Sequence, residues 1–445
     1  MEIGHISKTN KYNIKVKHIE WTGILMLFLF SFVNTASVLI FMVGILALLY
    51  QREIGAIKII NLLIFRTIIN PGFAVDIGFA QNIKWVIMLT CAIYLLFSLR
   101  KLTKQNRSRI KWVLIWAVLF AAYNFFVAYI HSSFPVVASF KNVSYTLVFL
   151  GILIGIAYTI EKFDWLDWIT KWFALLMIFS LLLVPFPVAY LINGISFQGA
   201  LNHPNMFGII AAMFLCLLLV RYSSENTRYY WLMLSPITLS LILLSRSRTA
   251  LITSLVLLFI YFMIKNSKKL TNLRVVAISF ISAGVFLFYS SVANFLEGFI
   301  LKGQASNILY SRQEQVNTLL FNFQSNPWFG TGFSVPYFPQ FRFNGFSMDF
   351  VVEPGNLVLA VLSYCGIIGF TIFVFYMLQI LLTNLRNSSK NIYLFLTPFF
   401  ICMGEMVFFS SNSIGVFCYM FLALYIYNDK PLDEKVRQEN IMHNI

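Results

Sequence analysis

Charged residues are scarce in this sequence. Of its 445 residues only 11% are charged, whereas 59% are hydrophobic. A water-soluble fold does not need so much apolar surface with so little charge, so the composition indicates a polytopic integral membrane protein. The apolar runs approach the length of about 20 residues that a membrane-spanning helix needs. The alternating pattern of an outer-membrane barrel is absent, and the fold class is therefore predicted to be all-α, a polytopic helical bundle.

Acidic residues are fewer than basic ones, with 17 Asp and Glu against 33 Lys and Arg, which gives a formal net charge of +16. The positive-inside rule explains this excess, because most of the basic residues fall in short loops between apolar runs. No basic soluble domain exists to bind nucleic acid, so we expect no nucleic-acid partner. The densest basic cluster, at 100–111, marks the cytoplasmic side.

Cysteine is rare, and a disulfide framework is not expected because no cysteine lies in the long polar segment 293–354. The sequence also lacks a metal-ligand cluster, a nucleotide-binding glycine loop and an Asp-x-Asp motif in its cytoplasmic loops. A glycosyltransferase that uses nucleotide sugars needs such features, whereas an enzyme whose substrates are already carried on lipid does not. We therefore expect no metal and no cofactor. The five cysteines are Cys91, Cys216, Cys365, Cys402 and Cys418.

The basic clusters and apolar runs together predict the topology. Counting outward from the cytoplasmic cluster gives about 12 transmembrane helices. No small-residue cleavage site follows the basic N-terminus, so the first span is predicted to stay uncleaved. Counting the spans predicts that both termini are cytoplasmic. The predicted parts are N-terminal transmembrane helices in 1–292, a large extracytoplasmic loop with short helices in 293–354, C-terminal transmembrane helices in 355–428 and a cytoplasmic tail in 429–445.

Some helix boundaries are less clear from the sequence. The run 21–50 is either one long span or a tight pair broken near Asn34. The runs 168–192, 275–292 and 392–408 are each predicted to be single spans.

The extracytoplasmic segment 293–354 is predicted to be an ordered cap. Long loops are uncommon unless they are functional or disordered, and this one is too rich in Phe, Tyr and Trp to be disordered. A helix is predicted to begin at Tyr310 and to end at Pro327. Its apolar face is predicted to consist of Val316, Leu319, Leu320 and Phe323.

Arginines on the outer side depart from the positive-inside rule. Arg246 and Arg248 lie at the tip of a short predicted hairpin, and Arg312 lies in the first turn of the loop helix. Arginine at a helix start suits a phosphate group, although an ordinary amphipathic surface helix explains the loop periodicity equally well. Single arginines often snorkel to lipid head groups. Two in one tip, together with Arg66 and Arg312, favour an anion site.

Two carboxylates are candidates for acid–base chemistry, and a third is a functional candidate without an assigned role. Asp349 and Glu353 directly precede the predicted span 356–382. They are either solvated head-group residues or a base for a sugar hydroxyl. Glu405 is predicted near the outer end of an apolar span, where a carboxylate is a functional candidate or the partner of an arginine.

Neutral and aromatic side chains complete the candidate site. Trp328 is either an interfacial anchor or a platform for a sugar ring. His203, with Asn205 two residues later, is predicted to be a helix cap or turn first and a substrate contact second.

Three stretches of the sequence together resemble the O-antigen polymerase and ligase superfamily of bacterial membrane glycosyltransferases. Each motif is weak alone, and their order and topology carry the resemblance. They are Ser247-Arg248-Thr249-Ala250, then Arg312 followed by Pro327-x-x-Gly330-x-Gly332, then Asn356 followed by Gly366-x-x-Gly369. Asn202-His203-Pro204-Asn205 resembles a fourth, weaker element.

The resemblance implies a polymerase of the bacterial inner membrane that uses repeat units carried on undecaprenyl pyrophosphate. Arg248 and Arg312, assisted by Arg246 or Arg66, would stabilise the pyrophosphate leaving group without a metal. Glu353 or Asp349 would act as general base. The implied partners are the lipid-linked oligosaccharide, membrane lipids and a chain-length regulator. The residues predicted to contact the glycan are Trp328, His203, Asn205 and Asn356.

Two alternatives stay open. The ligases of this superfamily carry a histidine directly before the Asn, whereas this sequence has Gly355 there, which favours the polymerase. The alternative of another class is a lipid-linked oligosaccharide flippase. Flippases usually consist of repeated halves with short loops, and this chain has one long loop and no visible repeat.

Overall fold

The computed structural model describes residues 19–224, 229–264, 310–345, 355–385 and 388–428. Within these ranges it contains fourteen α-helices and no β-strand beyond an isolated bridge between Ile69 and Leu201. The helices are α1 Ile19–Phe30, α2 Thr35–Gly44, α3 Glu53–Thr67, α4 Gln81–Phe97, α5 Lys104–His131, α6 Pro135–Thr159, α7 Trp165–Leu183, α8 Pro204–Ser224, α9 Tyr229–Ser245, α10 Arg248–Ile264, α11 Tyr310–Ser325, α12 Leu357–Thr383, α13 Ser388–Cys402 and α14 Gly415–Tyr427.

Six of these helices are long and apolar enough to cross a membrane: α4 to α8 and α12. Shorter apolar helices lie beside them, and large hydrophobic side chains are exposed along α5 and α12. These features belong to a polytopic helical membrane protein, as the composition predicts. The number of membrane crossings stays a prediction, and the predicted span 275–292 lies outside the described residues.

The run 21–50 is a broken pair of helices rather than one long span. After α1 ends, Asn34 caps α2 by accepting a hydrogen bond from the Ser37 backbone at 2.8 Å. The Ser37 hydroxyl accepts in return from the Asn34 backbone at 3.0 Å. This reciprocal capping box fixes the break.

Two predicted spans end earlier than the sequence suggests. Helix α7 ends at Leu183, because Pro185 and Pro187 follow it and proline cannot continue a helix. Helix α13 ends at Cys402, and the non-helical segment 403–414 leads from it to α14. Glu405 therefore lies in this segment and not within a helix, which corrects the sequence prediction.

Helix α8 forms the centre of the bundle. It packs against α7, α9, α10 and α13. Its side chains from Phe207 to Val220 are buried on every face of the helix. An α-helix that is apolar all round is expected in such a position. Helix α8 therefore positions the helices that surround it.

Helix α12 is broken at Gly366, whose φ is 61°. The loop segment 327–332 packs into the break, and each side satisfies the backbone groups that the other leaves unpaired. We call this contact the backbone joint. An unsatisfied backbone group among lipid-facing helices is costly, so the joint holds the loop in the bundle. In each of its hydrogen bonds a backbone N–H donates to a backbone carbonyl: Ile367 to Pro327 (2.8 Å), Ile368 to Trp328 (3.3 Å), Thr331 to Ser363 (3.0 Å) and Gly332 to Tyr364 (3.1 Å).

The backbone joint requires glycine on both sides. A Cβ atom added at Gly330, whose φ is 81°, would lie 2.4 Å from the backbone of Tyr364 and Cys365. One added at Gly366 would lie 2.4 Å from the backbone of Trp328. Neither backbone can move away without breaking the hydrogen bonds of the joint. The close approach of the two backbones therefore explains why both motifs have glycine at these positions.

The described part of segment 293–354, residues 310–345, packs against the bundle. Helix α11 begins at Tyr310 as predicted and packs on α12. Its buried face differs from the prediction, because Leu320 is exposed and Asn322 is buried beside Leu319. Asn322 takes this place since it lies three residues after Leu319, on the same side of the helix.

The backbone joint predicts a specific order of stability among glycine variants. Gly330→Ala and Gly366→Ala should each destabilise the protein by about 3 kcal/mol, since overlap with a fixed backbone adds to the strain of a positive φ. Gly194→Ala is the matched control, because Gly194 has a φ of 69° and nothing within 4 Å of an added Cβ. Its cost should be only about 1 kcal/mol. Thermal unfolding of the purified variants measures the order, and equal losses at the three positions would contradict the joint.

Candidate functional site

Three helices begin close together at one end of the bundle: α8, α10 and α12. The turn 403–405 lies among them, and each of its three residues contacts a different helix start. We call the three starts and this turn the helix-start cluster. Two of the contacts are hydrogen bonds: Asn356 Nδ2 donates to the Met403 carbonyl at 3.2 Å, and Asn205 Nδ2 donates to Glu405 Oε1 at 2.9 Å. The third is close packing of Gly404 on Thr249, since a Cβ added at Gly404 would lie 2.2 Å from Thr249 Oγ1.

Side chains cap two of these helices. Asn356 Oδ1 accepts from the Leu359 backbone at 3.1 Å, at the start of α12. His203 Nδ1 accepts from the Asn205 backbone at 3.1 Å, at the start of α8, which confirms its predicted role as a cap. In the neutral ring an accepting Nδ1 leaves the proton on Nε2. The contact of His203 with substrate stays a prediction.

The N-terminal ends of helices carry unpaired N–H groups and partial positive charge. Three such ends around one turn make this end of the bundle favourable for an anion. Among the predicted residues, the structure brings together Arg246, Arg248, His203, Asn205 and Asn356.

The hairpin tip between α9 and α10 turns its serines inward. Ser245 and Ser247 are buried, and Ser247 packs so closely on α8 that a Cβ at Gly208 would lie 2.4 Å from its own Cβ. Arg246 is thereby exposed, and Arg248 is half-buried as the first residue of α10. Arg246 also has a φ of 53°. A side chain in this left-handed region costs about 1–2 kcal/mol, and such strain is typical of functional positions.

Arg66 is held in place by its own hydrogen bonds. Its guanidinium group donates to Ser31 Oγ at 2.8 Å, to the Ser31 carbonyl at 3.0 Å and to the Val75 carbonyl at 2.5 Å. The side chain is buried and ties the end of α1 to the loop after α3. These bonds account for its burial, and its assignment to pyrophosphate stays a prediction.

Trp328 lies apart from the other predicted glycan contacts. Its carbonyl belongs to the backbone joint at Gly366, about 15 Å along the axis of α12 from Asn356, at 1.5 Å per residue. Its side chain is 61% exposed. The structure therefore does not bring Trp328 together with His203, Asn205 and Asn356.

Three predicted residues are beyond what the structure describes. Helix α11 carries Arg312 in its first turn, but the Arg312 side chain is not among the described ones. Asp349 and Glu353 lie outside the described residues altogether. Their roles stay predictions from the sequence.

Lys84 was missed by the sequence analysis. It lies one turn into α4 and is fully buried. Its Nζ donates to the Asn412 carbonyl at 3.3 Å and lies 3.5 Å from Thr67 Oγ1. Lys84 therefore stabilises the C-terminal end of segment 403–414. A lone lysine in the apolar run 83–97 was the available signal, because an ionisable residue inside a span has a function by default.

No other part of the described structure offers a comparable arrangement. The apolar cavity of about 310 Å³ between α1 and the segment 44–50 contains a single charged lining residue, Glu20, which pairs with Lys58 at 2.5 Å. Among the described side chains, no three His, Cys, Asp or Glu residues group as metal ligands. The helix-start cluster is the candidate site.

The cap at the start of α12 can be tested separately from its bridge to the turn. Asn356→Ala removes both the acceptor for Leu359 and the donor for Met403. Asn356→Ser retains a capping oxygen but is too short to reach Met403. We expect the alanine variant to be less stable than the serine variant by about 1 kcal/mol, the usual value of a cap. Thermal unfolding of the two variants measures this difference, and equal stabilities would show that the cap contributes nothing.

Comparison with known families agrees with the geometry. Residues 233–374, about a third of the chain, match a protein family described as O-antigen ligase, which supports the O-antigen polymerase and ligase superfamily. The matched region includes Arg246, Arg248, Arg312 and Asn356, but neither α8 nor Glu405. No curated protein matches the chain significantly.

Proposed function

We propose that this member of the O-antigen polymerase and ligase superfamily is a polysaccharide polymerase of the bacterial inner membrane. It would transfer a growing glycan from undecaprenyl pyrophosphate to the sugar of a second, lipid-linked repeat unit on the outer face. The observation that carries this proposal is the helix-start cluster, in which three helix starts contact one turn and Arg246 and Arg248 lie at the start of one of these helices, α10.

The chemistry of the donor matches this arrangement. When the bond from the anomeric carbon to the pyrophosphate breaks, the electron pair leaves with the pyrophosphate and its negative charge rises. Guanidinium groups and helix N–H groups fixed in advance stabilise such a charge more than they stabilise the intact donor. Arg248 begins α10 and Arg246 precedes it, so both extend from the hairpin tip. The sequence motifs assign Arg312 to the same pyrophosphate as a third cation.

The acceptor sugar would be held by the neutral side chains of the cluster. A side-chain amide has two N–H donors and one acceptor oxygen. Asn205 uses one donor on Glu405, and Asn356 uses one on Met403. The second N–H on each amide suits a sugar hydroxyl, and His203 is assigned to the glycan from the sequence.

The position before Asn356 supports a polymerase over a ligase. Gly355 has a φ of 59°. A residue with a side chain would be strained there by about 1–2 kcal/mol. The histidine that ligases carry at this position does not suit this backbone, so the local structure favours the activity that does not need it.

The proposal predicts polymerisation by the purified protein. Supplied with a synthetic lipid-pyrophosphate repeat unit and no nucleotide, the wild type should produce a ladder of glycan lengths. Arg248→Ala should lower kcat/KM by at least about 100-fold, the usual effect of losing one charge-stabilising donor. Arg107→Ala, an exposed arginine at the predicted cytoplasmic end, is the matched control and should leave the rate unchanged.

Each outcome of that assay has a defined meaning. An unchanged ladder from Arg248→Ala would contradict the pyrophosphate site at the cluster. Transfer to a lipid A-type acceptor without a ladder would identify a ligase. Absence of any ladder, together with movement of the lipid across vesicles, would contradict a glycosyltransferase and identify a flippase.

Arg246 gives a second, independent prediction. Arg246→Gly should not lower the thermal stability, because glycine relieves the strain of a φ of 53°. The same variant should lower the polymerisation rate, since it removes a cation from the site. Unfolding temperature and kcat/KM are measured on one preparation. A loss of stability without a loss of rate would show that Arg246 is structural.

A further inference from the structure

We propose that Glu405 is the general base that accepts the proton of the acceptor hydroxyl. This inference rests on the proposed polymerase function and deepens it. The sequence analysis gave the role to Glu353 or Asp349 and left Glu405 within a span. The structure gives Glu405 a different setting, in the turn 403–405 at the centre of the helix-start cluster.

The backbone of Glu405 is fixed on both sides. Its N–H donates to the Ile401 carbonyl at 2.9 Å, at the end of α13. Its carbonyl accepts from the Val407 N–H at 2.8 Å. The carboxylate therefore extends from a constrained turn, as a base with a defined position requires.

The carboxylate is oriented by a neutral amide. Glu405 Oε1 accepts from Asn205 Nδ2 at 2.9 Å, and Asn205 lies in the first turn of α8. The Glu405 side chain is half-buried, so the outer face reaches it. A base held at a defined position by an orienting hydrogen bond is the arrangement that proton transfer needs. Asn205 is by this argument a positioning residue.

The residue before Glu405 packs against the start of α10, which carries the arginines. Gly404 packs on Thr249 with no room for a side chain, and Thr249 directly follows Arg248. The base and the proposed pyrophosphate cations thus lie on adjoining elements. An acceptor sugar bound between them would present its hydroxyl to the carboxylate. The pyrophosphate of the donor would then face the arginines.

The proposed step is balanced without any further reagent. The proton of the acceptor hydroxyl moves to a carboxylate oxygen of Glu405, and the hydroxyl oxygen forms the new bond to the anomeric carbon of the donor. The bond from that carbon to the pyrophosphate breaks, and its electron pair leaves with undecaprenyl pyrophosphate. Glu405 then releases its proton to water.

The test is Glu405→Gln, which retains an oxygen for Asn205 but cannot accept the proton. We expect kcat to fall at least about 100-fold, the usual contribution of a general base. The Kd for undecaprenyl pyrophosphate and the unfolding temperature should stay unchanged. Glu405→Asp retains a carboxylate and should have an intermediate kcat. Glu161→Gln, at an exposed position, is the matched control and should behave as wild type.

The outcomes separate this inference from the function on which it rests. A wild type without a ladder would contradict the polymerase itself. A wild-type ladder that Glu405→Gln also produces at full rate would overturn only the role of Glu405. If Glu353→Gln or Asp349→Asn lost polymerisation under those conditions, the role of general base would belong to that residue. A lower unfolding temperature or weaker pyrophosphate binding in Glu405→Gln would make Glu405 structural and would likewise overturn the inference.

Discussion

The structure depends on one constraint: non-helical backbone among membrane helices must find its hydrogen bonds within the protein, because lipid supplies none. Segment 403–414 meets this constraint with side chains from several helices. Each donor comes from a different helix, so satisfying the segment also fixes those helices around it. The helix-start cluster is a consequence of this requirement. The donors and their acceptor carbonyls are Asn356 of α12 to Met403, Lys84 of α4 to Asn412 and Tyr419 of α14 to Phe408.

The backbone joint meets the same constraint in another way, with backbone paired to backbone. Its glycines permit the close approach; Gly330 shares a motif with Arg312, and Gly366 belongs to the motif that begins at Asn356. The motifs thus have a structural part, represented by Gly330 and Gly366, beside the chemical part that we propose for Arg248 and Arg312. The match of residues 233–374 to the O-antigen ligase family does not distinguish a polymerase from a ligase, and the residues of the helix-start cluster must make that distinction.

The sequence predicted the features that local signals determine. The helical class follows from composition, and the starts of α8, α10 and α12 follow from caps and hairpin turns near Pro204, Arg248 and Asn356. It did not predict the convergence on the turn 403–405, because the contact of Gly404 with Thr249 joins distant parts of the chain and has no local pattern. The separation of Trp328 from the cluster has the same cause, since the break in α12 determines where Trp328 lies.

The most direct test of this account is a cryo-electron microscopy structure of the protein in lipid nanodiscs with an undecaprenyl-pyrophosphate-linked repeat unit. The account predicts pyrophosphate density within hydrogen-bond distance of Arg248 and of backbone N–H groups at the start of α10 or α12. It also predicts a sugar between the pyrophosphate and Glu405. Pyrophosphate bound at the cytoplasmic ends of the helices, or beside Trp328 at the backbone joint, would contradict the helix-start cluster as the site of glycan transfer.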